Sequence, residues 1–279
     1  ELSSGSSLTV EGNYVNSGVG DEFNNVSSGG LVSYLDVYDI NTKAEFIDNE
    51  VESDIFADSY SGGLFGEVYV SDDATIDLQE NSYSGILYVD SESYVGGLIG
   101  YLETNYGGTF TMNENYFEGE LFVTSSYDVV GLIGYLYGSY EGDNGPSNIT
   151  ISNSGSSGTI GDAESPNYNS GGLIGYVELY NGIQLNITNA SSTIDIFGRE
   201  SSGGLIGQIY LYDSDTAVNI SDSHASGDII GQFPGDCKGP CYYSHIGGLV
   251  GVAYVDSYGV DSRTNIDNSY FDGNVVSGS

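Results

Sequence analysis

Positive charge is almost missing from this 279-residue sequence. Lys43, Arg199, Lys238 and Arg263 stand against 40 acidic residues, a formal net charge of -36. Phosphate binding needs clustered Lys and Arg, so nucleic acid is excluded as a partner and an anionic membrane surface is disfavoured. Such a charge keeps molecules apart, strains the compact state by self-repulsion, and calls for calcium or other counter-cations. No apolar run approaches the roughly 18 residues of a membrane helix, which argues against direct membrane insertion. Met112 is the only Met, and the start at Glu1-Leu2 reads as a mature or trimmed product whose targeting signal has gone. High acidity with few aromatics would mean disorder. Here 25 Tyr and 10 Phe argue for a packed chain.

One phrase recurs along the chain. It reads Ser28-Gly-Gly-Leu-Val, Ser61-Gly-Gly-Leu-Phe-Gly66, Val95-Gly-Gly-Leu-Ile-Gly100 and Val130-Gly-Leu-Ile-Gly134. It returns as Ser170-Gly-Gly-Leu-Ile-Gly175, Ser202-Gly-Gly-Leu-Ile-Gly207 and Ile246-Gly-Gly-Leu-Val-Gly251. Its leucines stand at 31, 64, 98, 132, 173, 205 and 249, so the gaps are 33, 34, 34, 41, 32 and 44 residues. A fixed period of some tens of residues makes a stack in which each unit covers its apolar face with its neighbours. The unbroken period predicts a single domain over 1–279, with insertions at about 137–147 and 231–244.

Within a unit, short runs alternate apolar and polar residues, the strand signal. Phe110 and Met112, Ile76 and Leu78, Ile149 and Ile151, Leu185 and Ile187, and Val218 and Ile220 take the inward places of a second strand. Ile86, Leu121, Ile160, Ile194, Ile229 and Val275 are expected to take those of a third. Three strands per turn predict an all-β, triangular parallel β-solenoid of about seven to eight coils of ~34 residues. The paired glycines are expected to adopt a corner conformation closed to residues with a Cβ. Asn13, Asn81, Asn115, Asn153, Asp222 and Asn268 recur once per coil and predict an internal hydrogen-bonded ladder.

Residues that could carry chemistry are few. His224 and His245 sit in no ligand or triad spacing. His224 reads as a packing substitute in the corner that holds Tyr83, Phe117 and Tyr270 elsewhere, and His245 as the end of a loop. Asp72 with Asp73, Asp143, and Asp213 with Asp215 gather oxygen ligands in turns and read either as calcium sites or as solvated acidic corners. Cys237 and Cys241 cannot complete a zinc site alone. In an oxidising exterior they either close a small loop with each other or bond to neighbouring subunits. Asn25, Asn148, Asn186, Asn189 and Asn219 open Asn-x-Ser/Thr triplets and are glycosylation candidates if the chain is secreted. No nucleophile elbow or phosphate loop is present, and no cofactor is required. Two carboxylates at a glycosidase separation will occur by chance among 40 acids, so that criterion has no force. The expectation is that the protein is not an enzyme.

Gly-Gly-Leu-Ile-Gly followed by Asn81-Ser-Tyr-Ser-Gly85 or Asn268-Ser-Tyr-Phe-Asp-Gly273 and then a short Val or Ile strand resembles the GLUG-motif repeats. That resemblance spans nearly the whole chain. It implies a cell-surface protein of bacterial or archaeal type and brings no catalytic residues. More weakly, composition and self-stacking resemble structural cell-envelope and sheath proteins of archaea. Both imply an extracellular location.

Coil sequence begins at Leu8 and runs almost to Ser279, with no helix to seal either edge. Uncapped edges invite strand addition. The expectation is an extracellular structural protein, its own partner, that polymerises into a sheath, surface layer or fibre. The alternatives are a repeat adhesin arm offering its tyrosines to glycans or a host protein and, after it, a calcium-dependent carbohydrate-active enzyme.

Overall fold

The alternating runs form strands wherever the sequence places them, and every strand pairs with its neighbour one coil away in parallel. The computed structural model describes residues 1–19, 27–57, 59–89, 94–123, 128–140, 145–162, 167–231, 245–256 and 261–277, and none of these is helical. The chain is a parallel β-solenoid with three sides. The first side holds seven strands: Val32–Val37, Phe65–Val70, Ile99–Asn105, Ile133–Ser139, Ile174–Leu179, Ile206–Tyr212 and Val250–Asp256. The second holds eight: Ser7–Glu11, Lys43–Ile47, Thr75–Gln79, Thr109–Asn113, Asn148–Ser152, Gln184–Thr188, Ala217–Ser221 and Arg263–Asp267. The third is a sheet of 17 strands, from two to 13 residues long, many of them broken where the coil bends. One continuous strand, Ser82–Val89, faces two separate ones, Glu50–Glu52 and Ile55–Ala57.

Like side chains stack on like along the axis. On the second side one inward column runs Leu8, Ala44, Ile76, Phe110, Ile149, Leu185, Val218, and a second runs Val10, Phe46, Leu78, Met112, Ile151, Ile187, Ile220. From Ala44 and Phe46 onward all are buried. Each full burial of such a side chain stabilises by about 1.5–3 kcal/mol.

The third side corrects the expected inward set. Leu87, not Ile86, aligns with Leu121 and Ile160 and is buried, while Ile86 aligns with Glu120. Ile196 pairs with both Ile160 and Ile229. Ile194 takes instead the place of Gly158, where it is still buried. The first insertion also begins later than expected: Tyr137, Gly138 and Ser139 pair with Glu103, Thr104 and Asn105. Gly231 likewise pairs with Gly198, and 232–244 lie outside the described residues.

The paired glycines serve close approach and not an unusual backbone angle. Neither Gly63 nor Gly97 has a positive φ. A Cβ on Gly63 would lie 2.0 Å from the Tyr83 ring and 2.3 Å from the Gly97 carbonyl oxygen of the next coil. Gly97 meets Phe117 and the Gly131 carbonyl in the same way. The second glycine of each pair is thus the floor on which a third-side side chain lies.

An amide ladder exists, with a shifted membership. Asn13, Asn49, Asn81 and Asn115 pass hydrogen bonds from Nδ2 to Oδ1 at 2.8, 2.8 and 2.9 Å. Ser154 receives the Asn115 N–H at 3.1 Å and ends this run, its own hydroxyl turning back to the Ser152 carbonyl while the next coil places Ala190 there. Asn153, Asp222 and Asn268 sit one residue earlier, in left-handed turns with φ of 49, 51 and 46°. Gly12, Asp48, Glu80, Glu114 and Asn189 share that turn position. Glycine, asparagine and aspartate adopt such angles most readily, and Glu80 and Glu114 are held in them against that preference.

Candidate functional site

Because Leu102 points inward, Tyr101 and Glu103 point outward, and the same holds in every coil of the first side. Two outward columns result. One reads Tyr34, Glu67, Tyr101, Tyr135, Tyr176, Gln208; the other reads Asp36, Tyr69, Glu103, Tyr137, Glu178, Tyr210, Tyr254. The residues lie three and five places after each repeat leucine, a relation that shows once the coils are laid over one another.

The rings form one contiguous rank. Tyr34 to Tyr69 is 5.3 Å between centroids, Tyr69 to Tyr101 5.6 Å, and Tyr101 to Tyr135 5.4 Å. Tyr135 to Tyr176 is 4.9 Å, Tyr176 to Tyr210 5.5 Å, and Tyr210 to Tyr254 4.7 Å. These are the separations of favourable aromatic pairs, about 0.5–1.5 kcal/mol each beyond burial. Carboxylates are threaded through the rank. Tyr69 donates to Glu67 at 2.8 Å, Tyr101 to Glu103 at 2.7 Å, and Tyr135 to Glu178, which also accepts from Tyr180 at 2.5 Å. Burial, and then the hydrogen-bonded carboxylate, push the phenols of Tyr69, Tyr101 and Tyr135 well above their ordinary pKa. The rank therefore holds its phenolic protons firmly.

The chain matches no protein-family model, no curated protein and no solved structure.

The aspartates proposed as cation ligands do not converge. Asp72, Asp73, Asp213 and Asp215 occupy turns between the first and second sides, all with left-handed φ between 53 and 64°. Their corners recur at Asn41, Gly107 and Gly182, which carry no charge. Among the described residues no three His, Cys, Asp or Glu side chains group as a metal site. Asp143, Cys237, Cys241 and Asn25 lie outside the described residues. The remaining sequons are on the surface. Asn148 opens its strand and is exposed, Asn189 is an exposed left-handed corner, and Asn186 and Asn219 lie in one outward column. Asn219 Nδ2 donates to Asn186 Oδ1 at 2.9 Å, so a glycan on Asn219 would alter that ladder.

His224 aligns with Tyr270 on the outer surface, where the rings stack at 5.3 Å; the buried place of Tyr83 and Phe117 belongs to Ala225. His245 is exposed at the start of His245–Gly247. A shallow depression of about 590 Å³ beside Glu52 and Asp54 opens widely to solvent.

Proposed function

We propose that the protein is a non-catalytic structural element of a cell exterior that lengthens by adding solenoid coils end to end, with a second copy supplying the next coil. The observation that carries this is the last coil. Val255, Ile266 and Val275 are 43, 45 and 48 % exposed, whereas their column-mates Leu211, Ile220 and Ile229 are buried. These side chains occupy inward positions, and one further coil stacked on this face would cover them.

The first coil offers matching groups. Its Val10 belongs to the column of Ile266, its Val19 to that of Val275, its Tyr14 to that of Tyr270 and its Leu2 to that of Val255. A copy seated on the last coil would continue each column and add backbone hydrogen bonds along the exposed edge. A head-to-tail contact of that kind is heterologous and propagates. The acidic surface, the four surface sequons and the likeness to GLUG repeats support an extracellular setting.

Electron microscopy and sedimentation of the full chain test this, with and without calcium. Rods that lengthen with concentration are expected, and Ile266→Lys, which places a charge on the joining face, should leave single units. Monomers at every concentration in both media would overturn the reading.

A further inference from the structure

The tyrosine rank has a property that packing alone does not require. Stacked aromatics would stabilise the coils without any carboxylate on their hydroxyls. Here the phenols of Tyr69, Tyr101, Tyr135 and Tyr180 each donate to a glutamate. In a chain of net charge -36, a further carboxylate beside a ring increases repulsion, so its placement calls for a use.

Oxidising a phenol near neutral pH removes an electron and a proton together. A base already at hydrogen-bond distance lets both leave in one event. The rings supply close electronic contact, and the carboxylates supply the bases. We propose that the outer rank of the first side conducts one-electron oxidising equivalents along the solenoid axis, as a relay of tyrosyl radicals.

An outer-sphere one-electron oxidant takes an electron from a terminal tyrosine such as Tyr34 or Tyr254, whose exposed phenol gives its proton to solvent water and regains one when its radical is reduced. At a glutamate-bonded site such as Tyr101, the phenolic proton passes to Glu103 as the electron leaves, giving a neutral tyrosyl radical and a protonated carboxyl. That radical then takes an electron from Tyr135, whose proton moves to Glu178, while Glu103 returns its proton to Tyr101. A one-electron reductant at the far end quenches the last radical. The protein is unchanged, and the net reaction is oxidant plus reductant.

The contact map names the points at which the relay can be cut. Tyr60 and Tyr94 join the rank at Tyr101 and Tyr135, and Tyr137, Tyr180 and Tyr212 form a side branch between Tyr135 and Tyr210. Among the described ring contacts, every route from Tyr34 to Tyr254 passes through Tyr135. Tyr137 belongs only to the branch. The whole path spans six coil spacings of about 4.8 Å, roughly 29 Å. A single electron jump over that length is negligible beside short hops.

The test is a flash experiment on the full chain. Cys237 and Cys241 are replaced by Ser, and Ser33→Cys, exposed beside Tyr34, carries a ruthenium photo-oxidant. Tyr254 is replaced by 3-aminotyrosine, a more easily oxidised phenol whose radical has its own spectrum. Formation of that radical after the flash is expected, with a loss of tenfold or more in Tyr135→Phe and no change in Tyr137→Phe. Glu178→Gln, which keeps the shape and removes the base, should slow arrival at least several-fold. Circular dichroism confirms that each variant is folded. No radical at position 254 in the parent, equal yield in Tyr135→Phe, or equal rates in Glu178→Gln would each overturn the proposal. None of these readouts needs end-to-end assembly, so they stand apart from the polymer test.

Discussion

Asn81 donates both protons of its amide: to Asn115 Oδ1 at 2.9 Å and to the Phe46 carbonyl at 2.8 Å, while its own Oδ1 accepts from Asn49. Every polar atom of this buried group is satisfied, and each bond crosses from one coil to another. Removing it leaves buried partners on both sides. Asn81→Ala is expected to cost about 1–3 kcal/mol. Urea unfolding measures it. Asn153→Gly, at a half-buried left-handed corner, gives up the side chain's bonds to Asn113 and from Asn189 but keeps an angle that glycine adopts freely, so it should cost less.

Gly63 and Gly12 test two different reasons for a glycine. A Cβ at Gly63 meets a ring and a carbonyl oxygen, and backbone cannot step aside. Gly63→Ala should destabilise by about 1–3 kcal/mol or more, as overpacking does. Gly12 has φ of +64° with open space around it, and other coils place Asn or Asp there. Gly12→Asn should lie within about 0.5 kcal/mol of the parent. A pair of thermal melts separates the two.

Tyr83 presents a buried hydroxyl with no hydrogen-bond partner among the described residues, one coil below Phe117, which fills the same column without a hydroxyl. Tyr83→Phe removes an orphaned polar atom and keeps the ring. Stability should rise by about 1 kcal/mol, since an unmade buried hydrogen bond carries a cost of that order. A lower midpoint in denaturant would contradict this.

Alkali should unfold the protein by way of its phenols. Tyr69, Tyr83, Tyr101 and Tyr135 have folded-state pKa values raised above the unfolded value of 10.0, with burial the leading cause. The protonated form is therefore favoured on folding. That contribution is complete below the unfolded pKa, diminishes above about pH 10, and is lost as pH climbs through the folded values. Phenolate absorbance should rise in one cooperative step coincident with loss of the β signal. A gradual titration of all 25 tyrosines with the fold intact would disprove it.

Salt should act in the opposite sense. The described ion pair nearest to ideal, Lys43 to Glu45 at 2.7 Å, is only half-buried on the surface and contributes little. Repulsion among the acids dominates. Raising ionic strength from about 0.01 to 0.15 M shortens the screening length from about 30 to 8 Å, so the melting temperature should rise. A fall would mean that attractive pairs outweigh repulsion.

Much of the architecture was legible because period-2 alternation and the recurring leucine both report directly on burial. Phe110, Met112, Ile149 and Ile151 point inward as read. Register within the bent third side was less legible. Ile86 and Leu87 are both apolar, and which one faces the core depends on the turn at Gly85, where φ is +150°. The amide ladder slipped by one residue for a similar reason. Asn at 81 and Asn at 153 look alike in sequence, yet one is a buried acceptor and the other a corner residue. The tyrosine rank was missed because its spacing emerges only when coils are laid over one another. The acidic turns read as cation ligands because aspartate suits both a metal and a left-handed angle.

That last coincidence has a consequence for the charge of the molecule. Seventeen described residues other than glycine have positive φ, and ten of them are Asp or Glu. At such bends aspartate, asparagine and glycine are nearly interchangeable in shape. A quarter of the 40 acids can therefore be exchanged for neutral residues, or restored, while the winding of the backbone stays the same. The bends thus act as a setting for electrostatic repulsion that evolution can turn without redesigning the interior.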